Sequence, residues 1–360
     1  MKICILGDGL ISLTLAKVLI QKDLSVDILS TNKFRKHNQT RTLGISKSNI
    51  EYFNKNIINI KKILWEIKNI KIYTENSLSS EILNFTNGKE QIFSILKNHE
   101  LYKILKKNLQ KSKIVKFKKN FNYKNLNKEK YNLIINCDLS HEITKKKFSN
   151  KIVKKYNSYA YTTVINHLKI KKNDIATQIF TKNGPIAFLP ISNTQTSVVY
   201  SHKVNNDNNK IDIKKLIKKF NFQYEINSID ESSKFELRSS NLRKYYKGNI
   251  LAFGDLLHKI HPLAGQGFNM SLRDIRELSK LIEEKINLGL DLDSSICYAF
   301  QEKVKDKNLI FSTSIDWIYE LFNFESKTNN QLISKSINII GKNKFLNSFF
   351  KKFADNGLRI

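Results

Sequence analysis

Lys2-Ile3-Cys4-Ile5-Leu6-Gly7-Asp8-Gly9-Leu10-Ile11-Ser12 opens the chain, and the reading of this stretch decides the fold. A short apolar run ends at Gly7, and beyond Gly9 the residues Leu10, Leu13, Ala16 and Ile20 recur at helical spacing over residues 10–21. Residues 24–29 form the next strand-like run. Strand, glycine turn, helix, strand is the opening of a βαβ unit. Gly7 permits a tight turn off the strand, and Gly9 lets a pyrophosphate approach the backbone, where the amides of a helix starting near Leu10 point at its charge. Ser12 stands where a third glycine usually serves close helix packing, and it is small enough for the same purpose. The acidic residue expected as a ribose acceptor at the end of the second strand falls at Ser30 and is absent.

Working outward, Leu101, Ile104, Leu105 and Leu109 give one apolar face to a helix over residues 100–110, and 113–117 and 131–136 read as strands that extend the first unit. The pattern changes after about Asn150. Residues 156–168, 176–181, 185–191 and 197–202 are β-rich and bounded by Asn, Gly and Pro, which predicts an antiparallel sheet, with a helix over 213–220 and a strand near Phe235. The longest uncharged stretch, between Lys182 and Lys203, contains Pro185, Pro190 and a polar run at 192–197, so it reads as a hairpin and not as a spanning helix. An apolar strand over 249–253 leads into a second glycine cluster, and from Asn269 onward the periodicity is largely helical.

With 360 residues and 41% hydrophobic content, two domains with a real core are expected. The formal charge of +30, from 62 Lys and Arg against 32 Asp and Glu, is large enough to attract nucleic acid or anionic lipid. Yet Lys, Asn and Ile dominate almost every segment, and the charge lies along the whole chain and not in one stripe. That distribution fits compositional drift with weak membrane attraction, and no nucleic-acid partner is expected. Cys4, Cys137 and Cys297 are odd in number, far apart and never in a C-x-x-C spacing, which predicts reduced thiols in a cytoplasmic protein and no metal site. The first apolar stretch runs straight into a glycine motif with no small-residue cleavage pattern, so no signal peptide is expected.

Glycine and proline are scarce, 12 and 3 residues, so their positions carry information. The second cluster reads Gly254-Asp255-Leu256-Leu257-His258-Lys259-Ile260-His261-Pro262-Leu263-Ala264-Gly265-Gln266-Gly267-Phe268-Asn269, followed by Met270-Ser271-Leu272-Arg273-Asp274. This string resembles the signature of FAD-dependent aromatic-ring hydroxylases, and the stretch from His261 to Asn269 is most similar to the ubiquinone-biosynthesis FAD-dependent monooxygenase branch of that family. Four further stretches resemble the family: Arg41-Thr42-Leu43-Gly44-Ile45-Ser46, Gly184-Pro185-Ile186-Ala187-Phe188-Leu189-Pro190, and, in the tail, Asp316-Trp317-Ile318-Tyr319-Glu320-Leu321-Phe322 and Lys352-Phe353-Ala354-Asp355-Asn356-Gly357.

The resemblance implies an α/β fold: a p-hydroxybenzoate hydroxylase-like, Rossmann-like FAD-binding domain with an inserted β-rich substrate domain and a helical C-terminal region. The FAD-binding domain would comprise residues 1–75, 95–150 and 245–360, and the substrate domain 76–94 and 151–244. The residues it assigns to FAD are Gly7, Gly9, Leu10, Ser12, Arg41, Asp138, Gly254, Asp255, Pro262, Gly265, Gln266, Gly267, Phe268 and Asn269. Asp255 would accept hydrogen bonds from ribityl hydroxyls. Pro262, Gly265, Gln266 and Gly267 would form a loop against the isoalloxazine ring, too close for side chains at the two glycines. A helix beginning near Asn269 would then direct its N-terminal amides at the pyrimidine edge, where reduction places negative charge. Without the resemblance, the same string reads as a structural turn before a helix, with His258 and His261 as ordinary polar loop residues.

No protein acid, base or metal is implied. Reduced FAD would activate molecular oxygen and pass one oxygen atom to a polyprenylated phenol, with NADPH or NADH as the reductant. A substrate tail in the bilayer suits a peripheral association with the inner face of a membrane and with other quinone-synthesis proteins.

The family's middle motif is altered. It appears as Cys137-Asp138-Leu139-Ser140-His141-Glu142-Ile143-Thr144-Lys145: Asp138 is kept, a glycine has become Leu139, and an arginine has no counterpart. Leu256 and Leu257 replace two alanines. Two other readings therefore stay open: another flavin oxidoreductase on the same fold, and a catalytically weakened accessory subunit of a quinone-synthesis assembly.

Overall fold

The structure is a computed structural model that describes residues 1–30, 40–86, 90–119, 126, 130–204, 211–261 and 265–328, with side chains described as far as residue 320. The chain opens with β1 (Lys2–Leu6), α1 (Leu10–Ile20) and β2 (Ser25–Ser30). It continues through β3 (Thr42–Ser46), α2 (Lys47–Asn56), β4 (Trp65–Ile67), β5 (Asn69–Thr74), β6 (Leu83–Thr86) and β7 (Phe93–Lys97). Then come α3 (Asn98–Gln110), β8 (Val115–Lys119), β9 (Leu133–Asn136) and α4 (Glu142–Lys147). The next block holds β10 (Lys151–His167), β11 (Ile175–Thr181), β12 (Gly184–Pro190), β13 (Gln195–Lys203), α5 (Ile213–Phe220), β14 (Ile226–Ile229) and β15 (Ser233–Leu242). β16 (Tyr246–Lys247), β17 (Ile250–Ala252), β18 (His258–Lys259), α6 (Gln266–Asn287) and α7 (Ser294–Thr328) follow.

One sheet has the order β16-β17-β9-β1-β2-β8, parallel throughout except for the short β16. Its central strand shows why: Ile3, Cys4, Ile5 and Leu6 are all fully buried, as in a parallel sheet covered on both faces. Residues of this sheet share one core with α1, α3, α6 and α7, among them Ile3, Leu13, Leu101, Ile135, Leu251, Leu272 and Phe300.

A second sheet runs β18-β15-β10-β13-β12-β11-β5-β6, with β14 also on β10. The uncharged stretch is its β12–β13 hairpin, with Phe188 opposite Val198. Alternation gives this sheet two apolar faces. One packs Ile165, Ile179, Ile186 and Val198 against Ile213, Ile217 and Phe220 of α5. The other packs Val164 and Ala176 against Ile67 and Ile95, and Phe180 against Ile260, Met270, Phe311 and Ile315. β5 joins this sheet by parallel pairing with β11, so residues 69–74, expected with the first unit, lie on the second sheet. Three strands, β3-β7-β4, form a small antiparallel sheet beside them.

A buried carboxylate ties the first sheet together. Asp27 on β2 has no exposed surface, yet it pairs with Lys118 of β8 at 2.9 Å and Lys2 of β1 at 3.0 Å, and accepts a hydrogen bond of 2.7 Å from the Tyr131 hydroxyl. Burial works to raise its pKa, but the hydrogen bonds from Tyr131, Lys118 and Lys2 prevail and hold it below the ordinary value of 3.8. The stability contributed by this depressed carboxyl is complete above pH 3.8 and disappears as the pH falls through the folded-state value. Asp27→Asn is therefore expected to lower stability at pH 7 and to make the acid limb of the stability profile shallower; equal urea midpoints for the two proteins at pH 7 would refute this.

Candidate functional site

β1, β9 and β17 lie side by side in parallel and end at the same edge of their sheet. Gly7 follows the first, Cys137 and Asp138 the second, Gly254 and Asp255 the third. The strand order reverses about β1, with β2 and β8 on one side and β9 and β17 on the other, and such a switch point opens a crevice at the carboxyl ends of the strands. The strand ends are close: Gly7 has φ +97°, and a Cβ there would stand 3.3 Å from the Cβ of Asp138. At Gly254, with φ +63°, a Cβ would stand 3.1 Å from Cγ2 of Ile11.

Gly9 is different in kind. Its φ of −69° suits any residue, and a Cβ built on it would meet no atom of the described residues within 4 Å. Neither backbone conformation nor internal packing calls for glycine, whereas a ligand pressed against the backbone does. Gly9 is also the N-cap of α1, and no side chain caps that helix, so its first amides are left for another acceptor. Ser12, fully buried one turn in, lets α1 lie against the end of β9, with its hydroxyl directed at the Cys137 thiol. Burial pushes that thiol up to about 12, with the Asp255 and Asp138 carboxylates adding to the rise, so Cys137 stays protonated at neutral pH.

Asp255 is exposed in the crevice and makes no hydrogen bond or ion pair with the described residues, which leaves both of its oxygens to accept from a polyol. Asp138 is buried and partly engaged: its Oδ1 accepts from the Ser140 amide at 2.9 Å and the Ser140 hydroxyl at 2.7 Å, closing the turn into α4. Arg41 is exposed at the start of β3.

The second glycine cluster corrects the sequence reading. α6 begins at Gln266, a turn earlier than the expected start near Asn269, with Gly265 as its N-cap in the left-handed region. Gly267 therefore belongs to the helix and not to a loop. At Gly265 the φ of +63° and a Cβ position 3.3 Å from the Gly44 amide make glycine a requirement of the fold itself. Gly267 carries no such requirement, since its Cβ would meet only Ile260 Cγ1, at 3.9 Å. Phe268 points into the main core. The Asn269 side chain is wholly committed to the protein: Oδ1 accepts from the Ser46 amide and from Asn49 Nδ2, each at 3.0 Å, and Nδ2 donates to the Gly44 carbonyl at 3.0 Å. No side chain caps α6, and the buried Gln266 Oε1 has no hydrogen-bond partner. Pro262 lies outside the described residues, as does the 352–357 stretch, and the Leu321 and Phe322 side chains are not among those described.

Both histidines of the cluster are buried. His258 Nε2 meets Asp274 Oδ2 at 2.5 Å, and Asp274 Oδ1 accepts from Asn308 Nδ2 at 2.9 Å, a chain that joins β18, α6 and α7. His261 stacks on Tyr319 at 4.3 Å and meets the ring of Tyr156 edge-on at 4.9 Å; burial pushes its pKa down to about 3, so it is neutral at physiological pH. Tyr156 in turn donates its hydroxyl to Asp316. Between the histidines, Lys259 sits half-buried with no hydrogen-bond or ion-pair partner among the described residues. Its pKa is lowered by burial and by the Arg238 and Arg41 guanidinium groups, against the pull of Asp255 and Glu236. The readable signal for Lys259 was a lone charge inside the buried stretch 256–261.

Taken together, an uncapped α1 behind an unforced glycine, a free carboxylate at the end of β17 and an uncapped α6 fit an FAD laid along the crevice. A family model described as an FAD binding domain matches residues 133–288. The ubiquinone biosynthesis monooxygenase COQ6, mitochondrial, of Dictyostelium discoideum is 32% identical over 114 residues, covering 31% of this chain and 22% of that protein. The protein of the same name from Danio rerio is 23% identical over 232 residues, 53% of this chain and 48% of that one. The matched part of the chain thus spans about half the length of these relatives or less. Among solved structures, p-nitrophenol 4-monooxygenase PnpA from Pseudomonas putida DLL-E4 superposes with a TM-score of 0.80 at 11% identity, covering 99% of this chain and 98% of that one. Klebsiella pneumoniae HpxO complexed with FAD and uric acid gives 0.74 at 11% identity, covering 97% and 95%.

Gly267 offers a test of the site that separates ligand contact from folding. An alanine there suits a helix better than glycine by roughly 0.5–1 kcal/mol. Gly267→Ala is expected to raise the melting temperature of the FAD-free protein and to weaken FAD binding; a variant that binds FAD as well as the wild type would remove Gly267 from the cofactor site.

Proposed function

We propose that this chain is a member of the FAD-dependent aromatic hydroxylase family and that it hydroxylates the aromatic ring of a polyprenylated phenol in ubiquinone biosynthesis. The observation that carries the reading is the convergence of Gly9, Asp255 and the start of α6 on one crevice. In this arrangement the α1 amides beyond Gly9 receive the pyrophosphate, and Asp255 accepts from the ribityl hydroxyls. The α6 amides at Gln266 and Gly267 face the ring edge that gains charge on reduction, and the macrodipole of a helix this long favours a negative charge there. Bound FAD, reduced by NADPH or NADH, supplies the activation of molecular oxygen: one oxygen atom enters the ring and the other leaves as water.

The remaining work falls to the second sheet. Its face towards the crevice carries Thr162, Val164, Ala187, Leu189, Ser197 and Val199 in register. Ser197 meets Thr42 of β3 at 3.0 Å and Thr162 meets Thr40 at 3.4 Å, so the wall is fastened to the cofactor side through hydroxyls. A wall of small apolar and hydroxyl side chains accepts an uncharged aromatic ring, orients it and keeps water away. Among the described residues no helix is long and apolar enough to cross a membrane, so a prenylated substrate would be met by peripheral contact with the bilayer, to which a charge of +30 contributes.

One observation favours a second reading, a catalytically weakened accessory subunit: in the altered middle motif the Asp138 carboxylate is engaged by Ser140, and Leu139 beside it is exposed. Incubating the FAD-loaded protein with reduced nicotinamide, oxygen and a short-chain prenylated phenol distinguishes the two, since the hydroxylase forms one hydroxylated product per nicotinamide consumed and the accessory subunit forms none. Purified protein is expected to be yellow and to release FAD, not FMN, on heating. Asp255→Ala is expected to weaken FAD binding by about tenfold or more through loss of a charge-assisted acceptor. Equal FAD dissociation constants for variant and wild type would show that the ribityl chain lies elsewhere.

A further inference from the structure

Lys259 is a cation for which the described residues supply no ion-pair partner. On β18 it stands opposite Ser240 of β15, on the face that also carries Arg238 two residues along, and it is half-buried. The described residues give it neither an ion pair nor a hydrogen bond, although Asp255 and Arg41 lie within electrostatic range. Its chain neighbours Leu256, Leu257, His258, Ile260 and His261 are all buried, so the lysine is the one charged residue of a segment otherwise held out of water. A partly desolvated ammonium among other cations is costly unless an anion is delivered to it.

We propose that Lys259 is the counter-ion for the negative charge that the cofactor's ring system gains on reduction, an inference that rests on the FAD reading above. Two electrons and one proton enter the neutral ring, as a hydride from a reduced nicotinamide or as two electrons from dithionite with a proton from solvent. One net negative charge is left behind. The pyrophosphate would offer an anion too, but its end of the crevice is the α1 N-terminus at Gly9. Lys259 lies instead between Asp255 and Ile260, whose Cγ1 is 3.9 Å from the place where a side chain on Gly267 would begin. It is thus on the α6 side of Asp255, where the ring is expected. The partial charge of the α6 N-terminus and the full charge of Lys259 then act on the same edge.

The test uses FAD-loaded Lys259→Gln and Lys259→Arg, with the midpoint potential read by dithionite titration against a reference dye and the affinity for oxidised FAD read by fluorescence quenching. In Lys259→Gln the affinity for oxidised FAD is expected to hold within about twofold while that for the reduced form falls about tenfold further, which lowers the potential by about 30 mV for a two-electron couple. Lys259→Arg, which keeps the charge, is expected to keep the potential and guards against a merely structural effect. A wild-type potential in Lys259→Gln overturns the inference. So does a loss of oxidised-FAD affinity at constant potential, which would assign Lys259 to the pyrophosphate. A wild-type protein that binds no FAD would instead overturn the reading beneath it.

Discussion

The hydrogen bonds of the Asn269 side chain are the constraint on which the site depends. They fasten the first turn of α6 to the end of β3 and the start of α2, elements more than two hundred residues earlier in the chain. An amide is the group for this task, because it accepts from Ser46 and Asn49 on one side and donates to Gly44 on the other, and a carboxylate or an aliphatic side chain can do only part of that. Being buried, the bond set is expensive to disturb. Gly265 can then adopt its left-handed conformation against the Gly44 backbone, and the α6 amides are fixed relative to the crevice without any side chain of the protein capping them.

Around this fastening the electrostatics divide along the crevice. At one end α1 offers amides behind an unforced glycine; in the middle Asp255 offers an acceptor; at the far end Lys259 and α6 offer positive charge. On the proposed reading, this order of donor, acceptor and donor groups would match a flavin dinucleotide from pyrophosphate through ribityl chain to ring. Buried contacts hold the pieces from behind. The His258–Asp274–Asn308 chain couples β18 to both C-terminal helices, and the stacked His261 and Tyr319 rings couple the loop to the far end of β10 through Tyr156.

Much of this was legible in local pattern. The run from Lys2 to Ser12 gave strand, turn and helix directly, and the uncharged stretch between Lys182 and Lys203 is the hairpin that its prolines and polar centre indicated. The start of α6 was misread because glycines at 265 and 267 ordinarily argue against helix, and only the contact with Gly44 shows why one of them is the cap. The function of Asn269 was hidden for the same reason, since its partners are set by tertiary contact. The burial of His258 and His261 was not legible because nothing near them in the chain could bury them; Asp274, Tyr156 and Tyr319 do so from a distance. Lys259 was passed over because a lysine is unremarkable in a chain with 62 basic residues, and only its lack of a partner singles it out.

The place of β17 in the first sheet has a consequence for biosynthesis. Its partner β9 ends at Asn136, but β17 itself begins at Ile250, so that edge of the sheet stays open while the whole β10 to β15 block is made and folded. The emerging chain must hold an unpaired, largely apolar strand edge through more than a hundred residues of translation, a condition that favours capture by chaperones over early closure. The cofactor cannot serve as a template for this folding, because neither Asp255 nor the α6 cap exists until that late segment has left the ribosome. Cofactor supply should therefore govern the lifetime of the finished protein and not the yield of its early folding intermediates.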